Sequence, residues 1–294
     1  MAPNFSPLPS QPTAPASGRL AKVKARPWLK PLLIGFAILY LALVLLIPAL
    51  NVFIQAFQGG LGGFFATFTE REFINAVKLT VLIAAITVPL NTIFGLCAAW
   101  AIARHKFPGR TLLLSIIDLP FSVSPVVAGL MLVLLYGRNG WFGPWLQAAD
   151  LQVIFALPGM VLATAFVSLP FVAREVIPVL EEMGAEQEEA AKTLGANDWQ
   201  TFWRVTLPTI RWGLLYGIIL TNARAMGEFG AIAVVSGGIA GKTQTLPLFV
   251  EESYKQYHTQ SAYTAAVLLA GLAVVTLVVK EILERKTGIK KGAK

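Results

Sequence analysis

Charge is scarce in this sequence. Only 14% of the 294 residues are Asp, Glu, Lys or Arg, against about 25% in an ordinary soluble domain. Cysteine is nearly absent: Cys97 stands alone, which excludes an intramolecular disulfide and a cysteine-rich metal site. The two histidines, His105 and His258, lie far apart in sequence and offer no metal-ligand spacing, so no metal centre is assigned. No Ser/His/Asp constellation and no carboxylate pair in an evident soluble cleft is present, so no catalytic residue is assigned and the chain does not read as an enzyme. What is abundant is apolar. Hydrophobic residues make up 55% of the chain, with a mean hydropathy of +0.65, the profile of an all-α integral membrane protein.

Residues 1–18 are rich in Pro, Ser and Ala, with Pro3, Pro7, Pro9, Pro12 and Pro15. Such a stretch cannot bury a core and reads as disordered. The basic run RLAKVKARPWLK follows, then the apolar run 31–50. The order resembles a secretory signal, but the apolar run is 20 residues long and no small-x-small cleavage site follows. At 1.5 Å per residue it spans roughly 30 Å, the hydrocarbon thickness. Further candidate spans are 79–103, 111–136, 153–173, 212–236 and 262–279, about six in all. The third is interrupted by Pro120 and Pro125, and the fifth carries charge. The expected organisation is a basic N-terminus (1–30), a transmembrane region (31–279) and a basic tail (280–294).

Six spans put both termini on one side. Eighteen of the 24 lysines and arginines fall in the two termini and the 104–110 and 174–211 loops. Only Arg71, Arg138, Lys242 and Lys255 fall in the opposite loops, while Lys78 and Arg224 lie at or inside spans. This bias predicts cytoplasmic termini. The aromatic and basic residues follow the spans and inner loops, so nucleic acid is not an expected partner. The bilayer is.

The stretch AIAVVSGGIAGKT (231–243) has the look of a phosphate-cradling loop, G-x-x-x-x-G-K-[ST]. Ser236 stands where the first glycine belongs. The topology also puts the loop outside, where ATP is scarce. It reads as a glycine-rich connection between helices, and no cofactor is assigned to this chain.

The inward loop holds EEAAKTLGANDWQTFWRVTLP (188–208). It reads as two short helices around a turn. Gly195 suits the position after a helix end, and Asn197 or Asp198 can cap the next helix. Trp199, Phe202 and Trp203 recur at i, i+3, i+4 and make an apolar stripe. Such a stripe either lies in the membrane interface or fills a groove in a partner protein. Periodicity alone leaves both open.

This stretch resembles the E-A-A-x-x-x-G-(nine)-I-x-L-P motif of ABC importer permeases. Glu189, Ala190, Ala191, Gly195, Leu207 and Pro208 match, and Val205 replaces Ile. The resemblance implies that the segment 186–208, with Trp199 in its aromatic stripe, is a coupling loop docking into an ATPase dimer, which would bind ATP and Mg and hydrolyse the nucleotide. The runs LPFSVSPVVAGLMLVLLYGRNGWFG, LPGMVLATAFVSLPFVAREVIPVL and LTNARAMGEFGAIAVVSGG are similar to the sulfate/thiosulfate permeases and, less closely, to the molybdate ones. The likeness covers roughly residues 30–285. It implies a bundle of the molybdate/sulfate type in a bacterial inner membrane. Sulfate importers use two related permease chains, and this one looks like the second of the pair. The remaining implied partners are that second permease and an extracytoplasmic sulfate-binding protein. A molybdate or tungstate importer is the nearest alternative, and a stand-alone secondary transporter is the alternative from another class.

Arg224 and Glu228 lie four apart in the fifth span, a spacing expected to put them on one helix face. Each charge near a bilayer centre costs about 2.5–3.5 kcal/mol on insertion scales, so the pair should face protein or water. It reads either as a structural ion pair or as an arginine bordering an oxyanion path with a carboxylate that orients or masks it. Asp118 precedes Pro120, Ser122, Ser124 and Pro125 in the broken third span. It is expected to cap the resumed helix; alternatively this irregular segment, with Ser122 and Ser124, lines the path.

Overall fold

The computed structural model describes the backbone of residues 29–287 and the side chains of residues 30–282. The proline-rich and basic N-terminal stretch and the last seven residues, to which the sequence reading assigned disorder and topogenic charge, lie outside the described residues. The chain divides into two units, residues 1–49 and 50–294. Among the described residues the secondary structure is helical throughout, with no strand.

In the first unit, α1 (Leu29–Leu41) runs into a π-turn (Ala42–Leu46) and then into α2 (Ile47–Ala56), which carries across the unit boundary. The run Lys30–Ala56 is long and apolar enough to cross a membrane. Leu39, Leu43 and Leu46 are exposed on it, as a lipid-facing helix requires.

The second unit continues through α3 (Gly60–Thr67), α4 (Arg71–Arg104), α5 (Arg110–Ser122), α6 (Pro125–Tyr136), α7 (Gly143–Ala148), α8 (Leu157–Ser168), α9 (Pro170–Met183), α10 (Glu186–Thr193), α11 (Asp198–Thr201), a second π-turn (Phe202–Thr206), α12 (Leu207–Met226), α13 (Gly230–Ser236), α14 (Leu246–Lys255) and α15 (Thr259–Thr287). Here Arg71–Arg104, Leu157–Met183 and Thr259–Ile282 qualify as spans. Two bent pairs complete the set. α5 and α6 meet at 112°, and the run Asp198–Met226 meets α13 at 52°. Counting each bent pair once gives up to six spans, the number expected.

α9 lies between α4 and α12, and small residues make this approach close. A Cβ on Gly95 would sit 2.7 Å from the Cβ of Val172, and one on Gly217 would sit 2.9 Å from the Cα of Val172. Ala99, Val172, Val176, Leu180 and Ile210 fill the contact. Polar side chains reinforce it within the bundle: Asn91, buried on α4, donates to the Ala165 carbonyl at 3.0 Å and to Ser168 Oγ at 2.9 Å. In lipid, small residues and interhelical hydrogen bonds take over from hydrophobic association, because the tails are as apolar as leucine.

Candidate functional site

The 186–208 loop is cross-tied by hydrogen bonds and an ion pair. α10 ends at Thr193 with Leu194 as its cap, and Gly195 takes φ +89°. The Gly195 amide donates to the Lys192 carbonyl and the Ala196 amide to the Ala191 carbonyl, each at 3.0 Å, the paired closure of a Schellman turn. Asn197, not Asp198, caps the next helix. Its side chain accepts from the Gln200 amide at 2.8 Å, while Gln200 Oε1 accepts from the Asn197 amide at 3.1 Å, a complete capping box. Asp198 instead pairs with Lys192 at 2.7 Å, and this hydrogen bond holds the lysine above its ordinary range.

The expectation of two short helices holds for the first only. The second is continuous from Asp198 through the π-turn into the fifth span, ending at Met226. Pro208 has no amide to close an α-turn, and it lies two residues after the end of the π-turn at Phe202–Thr206. Such single π-turns absorb a shift of one residue inside a helix.

The loop shows its apolar residues to the outside. Leu194 is 89% exposed and Trp199 69%. Trp199 packs edge-on to Trp203 at 5.5 Å between ring centroids. Glu189, Ala190 and Gly195 are exposed, Ala191, Val205 and Leu207 half-buried, and Pro208 exposed. Phe202 turns inward instead. With Trp199 and Thr206 it borders a cleft of about 350 Å³ whose far wall is Leu96, Cys97 and Trp100 of α4.

One residue at the heart of this geometry escaped the sequence reading. Glu188 is nearly buried against Arg104 at the end of α4, with 12% and 8% of the two side chains exposed. Arg104 grips it with two donors, Nε to Oε2 at 2.9 Å and Nη2 to Oε1 at 3.1 Å. Thr206 donates its hydroxyl to the same Oε1 at 2.8 Å. Arg104 Nη1 reaches the Leu180 carbonyl at 2.8 Å. The doubled glutamate of EEAA was a signal, but its partner lies 84 residues away.

Inside the membrane, Arg224 and Glu228 do meet, with Nη1 and Oε2 2.6 Å apart. They do not share a helix face, as their spacing suggested. α12 ends at Met226, Gly227 caps it, and α13 begins only at Gly230. The cause is Glu228 itself, whose Oε1 accepts from the Ala231 amide at 2.8 Å and so serves the first turn of α13. Glu228 is 1% exposed and Arg224 31%.

Asp118 does not cap the resumed helix of the third span. Ser124 holds the cap position of α6 and makes no side-chain capping bond. Asp118 sits within α5 and pairs with Arg174 of α9 at 2.8 Å, both partly exposed. That guanidinium also lies 4.7 Å over the Phe121 ring. Ser122 and Ser124 are exposed at the bend. The two bends touch: a Cβ on Gly230 would sit 3.0 Å from the Cβ of Pro125. Among the described residues no hydrogen bond or ion pair joins the Asp118 pair to the Arg224 pair.

The glycine-rich stretch after α13 closes that helix. Gly237 and Gly238 take φ +68° and +61°. Thr243 donates its hydroxyl to the Ser236 carbonyl at 2.7 Å and accepts from the Ile239 amide at 3.1 Å.

Residues 92–289 match the family model of the binding-protein-dependent transport system inner membrane component. The chain belongs to that family. This permease is 68% identical over 259 residues to the sulfate transport system permease protein CysW of Synechocystis sp., a match covering 88% of this chain and 94% of that one. It is 41% identical over 244 residues to the sulfate transport system permease protein CysT of Escherichia coli (strain K12), covering 82% and 88%. A solved bacterial alginate ABC transporter, crystallised in complex with a pentasaccharide-bound periplasmic protein, has a chain that matches the fold with a TM-score of 0.75 at 18% identity, covering 89% of this chain and 96% of that one. The family and the span set make this permease a multi-pass inner-membrane transport component.

Proposed function

We propose that this chain is one of the two permease subunits of an ATP-driven sulfate importer, with thiosulfate as a second substrate. The observation that carries the coupling half of the reading is the exposed face of the inward loop. Leu194 and Trp199 project from a segment that capping and ion pairing make rigid, and a preorganised apolar hook suits a groove in a partner. That partner is an ATPase dimer, which binds ATP and Mg and hydrolyses the nucleotide, while this chain carries no cofactor. The identity to a CysW protein over most of both chains supports sulfate. The lower identity to a CysT protein supports a homologous but distinct chain as the second permease. An extracytoplasmic sulfate-binding protein delivers the anion to the outer mouth, and both termini are cytoplasmic.

The path runs past the contact of the two bends. Irregular backbone at membrane depth must face protein or a wet cavity. Arg224 borders the path with Ser122 and Ser124, and Glu228 masks its charge in the state seen. Asp118, tied to Arg174, lies beside it. Two permeases enclosing this path and reorienting as the ATPases close on ATP would give alternating access.

The test is affinity purification of the chain from native membranes, with bound proteins identified by mass spectrometry, alongside uptake of labelled sulfate and labelled molybdate. An ATPase together with a non-identical permease, and sulfate-selective uptake, is the expected result. An ATPase with this permease alone, or molybdate-selective uptake, would move the reading to a molybdate importer. Recovery of no ATPase even after crosslinking would end the coupled reading in favour of a stand-alone transporter.

A further inference from the structure

Glu188 lies next to the exposed Glu189 but turns the other way. On one two-turn helix, α10, Glu189 and Ala190 face outward while Glu188 is held inside by three donor atoms from two elements: Arg104 Nε at 2.9 Å, Arg104 Nη2 at 3.1 Å and Thr206 Oγ1 at 2.8 Å. Arg104 closes the end of the α4 span and also holds the Leu180 carbonyl near the end of α9. Thr206 is buried, at the last position of the π-turn that leads into the fifth span. A single carboxylate therefore joins the loop to the inner ends of three spans.

We infer that Glu188 is the positioning residue that transmits movement of the inward loop to α4 and α12, acting through Arg104 and Thr206. The inference rests on the coupling-loop reading and adds to it the part of the loop that faces the membrane rather than the partner. Three features support it. The planar guanidinium offers two parallel donors in fixed geometry, which resists rotation as a single-point lysine contact does not. The pair is largely shielded from water, so it is screened far less than a surface ion pair. The loop between the node and the docking face is cross-tied by Lys192–Asp198 and the Asn197–Gln200 box, so a push on Trp199 moves the loop as a body. Interactions with these properties carry coupling between distant sites.

The test uses the whole importer in proteoliposomes: this chain, its ATPase, the second permease and the binding protein. Three quantities are read for each variant: ATPase retained on the purified permease, ATP hydrolysed, and sulfate accumulated. Glu188→Gln keeps the size and one acceptor but loses the charge. Thr206→Val removes one donor at nearly constant volume. Glu188→Gln is expected to retain the ATPase at the wild-type level while the ATP hydrolysed per sulfate rises about fivefold or more, the lower end of typical coupling between sites. Thr206→Val should shift the ratio in the same direction by less, and it carries the test alone if Glu188→Gln does not accumulate in the membrane.

An unchanged ratio in the variants that assemble overturns the inference. So does loss of the ATPase from Glu188→Gln, which would make Glu188 part of the docking surface. The coupling-loop reading is checked separately by Leu194→Ala/Trp199→Ala. If that double variant keeps its ATPase and its transport, the loop is not the docking site, and the role of Glu188 falls with it.

Discussion

Arg224 and Glu228 pair across a break between two helices rather than along one. Nη1 and Oε2 stand 2.6 Å apart while the other carboxylate oxygen holds the Ala231 amide at 2.8 Å. Glu228 thus ties the end of α12 to the start of α13. Replacing it with Ala leaves an arginine without its counter-ion and an amide without its acceptor. Removing one partner of a buried pair costs about 3–5 kcal/mol. Glu228→Ala should lower the thermal midpoint of the purified complex, and the double variant Arg224→Gln/Glu228→Gln should recover more than half of the loss. A double variant as unstable as Glu228→Ala would show that the charge pairing is not what holds the break.

Gly217 meets backbone, not a movable side chain. A Cβ there would come within 2.9 Å of the Cα of Val172. Gly217→Ala should push α12 away from α9 at a cost of about 1–3 kcal/mol, the usual range for overpacking. Thermal unfolding in detergent reads this directly, and a midpoint equal to wild type would mean the two helices are free to part.

Asn197 caps the helix that leads out of the loop. Asn197→Ala removes the side-chain acceptor of the Gln200 amide, leaving only the backbone half of the capping box, and loss of such a cap costs about 1 kcal/mol. ATPase affinity for the permease should fall by roughly fivefold, since 1.4 kcal/mol is a factor of ten. Asn197→Ser, which keeps a capping acceptor, should restore most of it. The dissociation constant is measurable by titrating labelled ATPase onto the permease in nanodiscs.

Lys192 is held above its ordinary range by its hydrogen bond to Asp198. A lysine whose folded value is raised contributes its full stabilisation below the unfolded value, about 10.4, and loses it only as pH rises through the raised folded value. The pair therefore stays intact between about pH 6 and pH 9, and ATPase retention should not vary with pH through it over that range. Because both groups are exposed, the pair's effect should fade with added salt. A loss of retention near neutral pH that disappears in Lys192→Gln would contradict this.

The spans were legible because long apolar runs admit few other structures in lipid. The loop's turn was legible too, because Gly195 and Asn197 act through their own neighbours. What could not be read was set by distant partners. Asp118 looked like a local cap because proline and serine follow it, but Arg174, 56 residues on, claims it instead. Arg224 and Glu228 were correctly paired and wrongly placed. The i,i+4 rule presumes an unbroken helix, and the glycines flanking Glu228 and Phe229 were the unused sign of the break. Glu188 went unnoticed beside Glu189, since nothing in EEAA says which carboxylate turns inward.

The helix from Asp198 to Met226 joins the 186–208 loop to the break before α13 as one continuous element, the π-turn included. At 1.5 Å per residue its 29 residues make a rod of roughly 43 Å. A rod of that length has leverage. A tilt of about 10° would swing one end some 7 Å relative to the other, comparable to the width of a hydrated oxyanion. With its far end against Gly227, a small rocking of the loop becomes a displacement on the scale of a gate. Once the Glu188–Arg104–Thr206 contacts have passed movement of the loop to α12, the stiffness of a single helix would carry it to the break.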